Sequence, residues 1–131
     1  MNGRAIVYSL LAEDQELSDM GVEVMPNFGF DDPPRTPFIV LRWGNQGMRR
    51  AVRRGPRILE VWAHVPTSIS RDYDDVDRII ERASEVLESV EQMGGHGEHV
   101  TCITYSGTGP DLEDTGYNTI TRNAGFEILA R

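Results

Sequence analysis

Between Asp72 and Met93 the apolar residues Val76, Ile79, Ile80, Ala83, Val86, Leu87, Val90 and Met93 recur at steps of three and four. That spacing draws one apolar stripe along a 3.6-residue period and predicts an amphipathic helix from about Asp72 to Met93. Immediately before it, Leu59, Val61, Ala63 and Val65 alternate with Glu60, Trp62 and His64, the period of a strand, over Ile58 to Val65. A turn at Pro66 to Arg71 joins the two. The stripe needs a sheet to lie on, and the preceding strand begins one.

The remaining pattern fills in around this unit. Ile6, Val7, Leu10, Leu11 and Leu17 predict a first helix from Arg4 to about Leu17, with Asn2 as its cap and Gly21 as its stop. Val22 to Met25 is a short strand, and the dipeptides Asp32-Pro33 and Pro33-Pro34 exclude regular structure over Asp31 to Pro37. Phe38 to Trp43, FIVLRW, is almost continuously apolar, as expected of a strand covered on both faces. Gly44 to Pro56 reads as a long loop or arm closing a hairpin onto the next strand. After glycines 94, 95 and 97, Val100 to Tyr105 is a strand, Ser106 to Gly116 a polar loop, and Asn118 to Leu129 a last strand with Ile120, Ala124, Phe126 and Ile128 on one face. Gly125 within it marks a bulge or a close backbone approach. The expectation is a single α/β (α+β) domain over residues 1–131, built in two layers: a mostly antiparallel four- or five-stranded sheet with two helices packed on one face.

Composition narrows the class. A chain of 131 residues can bury a core without staples, and the single Cys102 cannot form an internal disulfide. The opening residues MNGRAIVYSLL are too short in their apolar run for a signal peptide or membrane span. The net charge of -8 argues against wholesale wrapping of nucleic acid, but its distribution is uneven. Arg42 to Arg57 holds six arginines and no acid, whereas all 21 acids lie elsewhere. Every basic side chain is an arginine, a planar guanidinium suited to fixed contacts.

No residue set announces catalysis, a cofactor or a metal. Gly107-x-Gly109 lacks the Gly-Lys-Ser/Thr of a phosphate loop and reads as turn glycine. His96, His99 and Cys102 have no fourth ligand, and His64 lies opposite the apolar set of its strand. Asp72, Asp74, Asp75 and Asp77 sit in the first turns of the long helix, where carboxylates favour the unpaired amides. Two features remain as interface candidates. Arg49, Arg50, Arg53 and Arg54 repel one another unless an acidic neighbour, a second protein or phosphate meets them. Asp111, Glu113 and Asp114 occupy a glycine-bounded loop and face either solvent, a cation or a partner's arginine. Trp43, Trp62 and Tyr105 fall out of phase with one core-facing set, which places them on the outer sheet face, at a subunit contact or beneath a loop.

The combination of FIVLRWG at Phe38, ILEVWAHVPTSISRDYDDVDRIIERA at Ile58 to Ala83 and GTGPDLEDTGYNTITRNAGFEIL at Gly107 to Leu129 resembles the tail terminator proteins of long-tailed, siphovirus-type actinobacteriophages. The resemblance runs from the first helix to the last strand. It implies a non-enzymatic structural virion protein, made in the host cytoplasm, whose α/β subunits form a hexameric ring. Such a ring caps the head-proximal end of the tail tube, ends tube polymerisation and meets a head-completion or neck protein. DNA passes through its channel without specific binding, and no membrane is involved. The family carries no universally placed functional residue, so the resemblance assigns no role to any single position. A head-completion or neck connector ring is the nearest rival, and a nucleic-acid-binding module using the Arg49 to Arg54 arm is a more distant one. A hydrolase or transferase acting through His64 or the aspartates lacks a nucleophile, base and orienting group placed together.

Overall fold

The computed structural model describes residues 3–27, 31–44, 57–92 and 100–130. The chain runs α1 (Gly3–Ala12), α2 (Gln15–Asp19), β1 (Glu23–Met25), β2 (Phe38–Trp43), β3 (Arg57–Pro66), α3 (Tyr73–Gln92), β4 (Val100–Thr108), β5 (Leu112–Asp114) and β6 (Thr119–Ala130). It is an α+β fold with one mixed six-stranded sheet and three helices among the described residues. The sheet order is β1-β2-β3-β6-β4, with β5 also pairing β6. β1 pairs β2 in parallel, and the other pairings are antiparallel.

The long helix forms where the stripe predicts, and its start is fixed by side chains. Asp72 Oδ1 accepts from the Asp74 amide at 2.9 Å, and Ser70 Oγ accepts from the Asp72 amide at 3.0 Å while donating to Asp75 Oδ2 at 2.6 Å. These bonds satisfy amide groups that the first helical turn leaves without partners. The buried face of α3, including Val76, Ile79, Ala83, Leu87 and Val90, joins Ile6, Val7 and Leu11 of α1 and Leu17 of α2 in one core. The sheet contributes Ile39, Leu41, Leu59, Val61, Ala63, Val65, Ile103, Ile120, Ala124, Phe126 and Ile128 from its helix-facing side. Burying each large aliphatic side chain stabilises the fold by about 1.5–3 kcal/mol.

The first helix does not run through to Leu17. It ends at Ala12, and Asp14 starts a second one by accepting from the Leu17 amide at 3.0 Å. A short acidic side chain at that position competes for the backbone and reopens the helix as a cap. Met20 then closes α2, and Gly21 follows with φ 74°, the left-handed stop its position predicts. The polar loop expected from Ser106 to Gly116 is also shorter than predicted. β4 continues to Thr108, and Leu112 to Asp114 add to β6 as β5.

The outward placement of two aromatic residues is overturned. Register puts Trp43 beside Leu59 and Tyr105 beside Phe126, both on the helix side of the sheet. Trp43 packs against the core beneath Arg4, whose guanidinium carbon lies 5.6 Å from the ring centroid. Tyr105 meets Phe126 edge-on at 5.8 Å. Only Trp62 lies on the outer face, where its Nε1 donates to Glu60 at 2.9 Å. Gly125 marks a close approach: a Cβ there would stand 2.8 Å from Ser106 Oγ, the residue bulged out of β4 between Tyr105 and Gly107.

Candidate assembly interface

The sequence-derived interface residues separate into two groups. Arg49, Arg50, Arg53 and Arg54 lie outside the described residues, as do Asn2, the rest of the loop or arm expected over residues 45–56, His96 and His99. Gly44 is described, and its amide extends the β2–β3 ladder by donating to the Ile58 carbonyl at 2.9 Å. Asp111, Glu113 and Asp114 are described, and each already has a partner inside the chain.

Arg122 Nε donates to the Gly109 carbonyl at 3.1 Å, and the Asp111 carboxylate forms an ion pair with the same nitrogen at 3.1 Å. Arg122 also binds Asp77 through Nη1, so one guanidinium ties the first turns of α3 to the β4–β5 turn. Glu113 pairs loosely with Arg71 at 3.9 Å, both side chains being more than half exposed. Asp114 Oδ1 accepts from the Tyr117 amide at 3.0 Å and so shapes the tight turn into β6. Next to that turn Asn118 takes φ 55°, a conformation that asparagine tolerates better than most residues.

The same end of the sheet is closed over on its outer face. His64 is buried beneath Tyr117 and stacks on Phe38 at 4.7 Å with the rings nearly parallel. Its Nδ1 and Thr119 Oγ1 share a hydrogen bond of 2.8 Å, and Thr121 Oγ1 donates to the Ala63 carbonyl at 2.8 Å. Burial pushes the imidazole pKa down to about 4, with the nearby Asp114 carboxylate opposing the shift. His64 is therefore a neutral packing residue at neutral pH. The opposite end of the outer face is open: Ile58 and Leu129 are 41% and 47% exposed, beside Glu127 and Thr104.

On the helix side, acids and arginines are matched along only part of α3. Arg82 binds Asp14 at 2.7 Å, Glu16 at 3.1 Å and Glu85 at 3.1 Å, locking α2 onto α3. Its hydrogen bond holds the Asp14 carboxyl below the usual carboxylate range, while the three acids raise the guanidinium pKa. Glu81 and Glu88 have no hydrogen-bond or ion-pair partner among the described residues. They project into a groove of about 350 Å³ between α3 and β4, with Ile80 in its lining and Tyr105 and Thr108 on the strand side. Among the described strands β4 lies at the sheet edge, so alternate residues turn their N–H and C=O groups away from β6.

Among the described residues no three His, Cys, Asp or Glu side chains are grouped to hold a metal, and no helix is long and apolar enough to cross a membrane. The surface offers charge, an open strand edge and exposed apolar residues, the materials of a protein contact. The Glu81 and Glu88 pair escaped the sequence reading because acids at helical spacing look like an ordinary solvated face. Glu88 has no basic residue one turn away on either side, and Arg78, one turn before Glu81, pairs with Asp75 instead. No protein-family model matches the chain, and no curated protein matches it.

Proposed function

We propose that the chain is a structural virion protein of the tail-terminator type, a subunit of a ring that caps the tail tube of a long-tailed phage. The reading rests on the resemblance carried by FIVLRWG, the Ile58 to Ala83 run and the Gly107 to Leu129 run. The observation that carries it furthest is the segregation of charge: Arg42 to Arg57 holds arginines and no acid, while carboxylates without a partner among the described residues stand beside β4. A surface of one kind meeting a different surface of the next copy makes a head-to-tail contact, and a head-to-tail contact whose rotation closes makes a ring.

The finer architecture fits the same use. An antiparallel-rich sheet with its helices on one side leaves the open part of the other face, around Ile58 and Leu129, for a tube or neck protein. The acidic balance of the subunit suits a channel through which DNA moves without sticking, because like charge opposes adhesion of a polyanion. Adding the purified protein to polymerising tail-tube subunits tests the reading. Tubes should stop growing at one end, with a ring visible there by electron microscopy. An unchanged tube-length distribution would overturn it, and capture by the head-side connector instead would assign the chain to the neck.

A further inference from the structure

The structure changes which acids are available to a basic partner. Asp111 and Asp114 are held by Arg122 and by the β5–β6 turn, and Glu113 leans on Arg71. Glu81 and Glu88 are exposed and unpaired among the described residues, and they line a groove beside the edge strand β4. We propose that this groove receives the arginine segment, Arg49 to Arg54, of a second copy of the same chain. The proposal deepens the ring reading above by naming the contact between neighbouring subunits.

Three observations select this occupant. The first is charge: the groove presents two carboxylates without counter-ions among the described residues, and the only dense basic run in the sequence is Arg49, Arg50, Arg53 and Arg54. The second is span. Residues 81 and 88 lie seven apart on a helix, roughly 10 Å along its axis. Arg49 and Arg54, five residues apart, stand about 7.5 Å apart if the segment rises about 1.5 Å per residue and about 16 Å apart at about 3.3 Å per residue, so the spacing of the two carboxylates falls within its range.

The third is the form of the strand edge. Register shifts flank the run Cys102 to Tyr105, so only a short stretch of β4 keeps regular geometry. A strand adding there by backbone bonds alone would gain little, and the groove therefore needs charged side chains to hold a partner. Guanidinium groups match carboxylates in paired, directional hydrogen bonds. Tyr105 adds an aromatic ring on which a guanidinium can lie. The contact joins residues 49–54 of one copy to a helix–strand groove of the next, so each subunit keeps one free donor and one free acceptor until a ring closes.

Charge exchange tests the contact. Glu81→Arg/Glu88→Arg and Arg50→Glu/Arg53→Glu should each shift the native mass from oligomer to monomer, with association at least tenfold weaker. The chain carrying both pairs of changes should recover the oligomer. A one-to-one mixture of the two separate variants should also recover the oligomer, as alternating copies in which an unchanged arm meets an unchanged groove at one contact and a reversed arm meets a reversed groove at the next. The wild-type oligomer should also loosen with added salt.

A wild-type mass that stays monomeric at every concentration, or variants that assemble like the wild type, would overturn the proposal. Should the groove reversal lower the melting temperature, Glu81→Gln/Glu88→Gln gives the same answer, since it removes charge without adding any. If oligomers respond to these exchanges but tube growth does not stop, the contact stands and the terminator reading fails. If growth stops and the exchanges leave the oligomer intact, the contact alone fails.

Discussion

The two acidic regions of this chain look alike in sequence and behave oppositely in space. At the β4–β5–β6 end, Asp111 and Asp114 serve the subunit itself, one anchoring Arg122 and the other capping the turn before Tyr117. Along α3, Glu81 and Glu88 serve nothing within the described fold, although Glu85 between them is bound to Arg82. Charge counts do not tell a structural carboxylate from an available one. The distinction comes from whether the tertiary fold brings an arginine within reach.

The closed end should yield the largest measurable effect, and pH is the means. His64 is neutral in the fold and its pKa is lowered from 6.5 to about 4, so protonation favours the unfolded chain. The stability this confers is complete above about pH 6.5 and is lost as the pH falls toward about 4, a change of about 3 kcal/mol. Urea unfolding across that range should show the loss. His64→Leu should flatten the curve there, and an unchanged slope would break the account of this end as a buried, neutral cluster.

Next in size is the Arg122 tie. Arg122→Met should cost about 1–2 kcal/mol in urea unfolding, because its two acid partners are partly exposed and can regain water. Asp114→Ala should cost about 1 kcal/mol by freeing the Tyr117 amide, and the double variant would reveal whether the turn and the tie act together. The open region should show the smallest effect on the isolated subunit. Glu81→Gln/Glu88→Gln should move monomer stability by no more than about 0.5 kcal/mol while weakening association. A large loss of monomer stability would mean that these carboxylates are structural after all, and the contrast between the two regions would collapse.

Much of the fold was legible because its signals are periodic. The α3 stripe, the alternation in β3 and the unbroken FIVL of β2 each predict their element, and Phe38, Ile39, Val40 and Leu41 are indeed all buried. What escaped depends on tertiary partners. Asp14 breaks the first helix, yet Glu13 and Asp14 are compatible with a helical surface until Arg82 arrives from 68 residues away. β5 is three residues long and exists because β6 offers an edge to pair with. The facing of Trp43 and Tyr105 turns on register, which a single strand does not carry in its own sequence. Of the interface residues, the charge of Asp111 and Asp114 was readable, but their internal partners were not.

The position of β6 has a consequence for how the protein is made. It is the last of the described strands to be synthesised, yet it lies in the interior of the sheet, between β3 and β4 and also against β5. Its pairing with β3 joins residues such as His64 and Thr121, far apart along the chain. Until residues 119–130 clear the ribosome, β3 has no partner on that side and β4 has no sheet to join. The groove beside β4 therefore cannot exist on a nascent chain. Under the proposed contact, a chain could receive a neighbour's arginine segment only after translation has passed this strand.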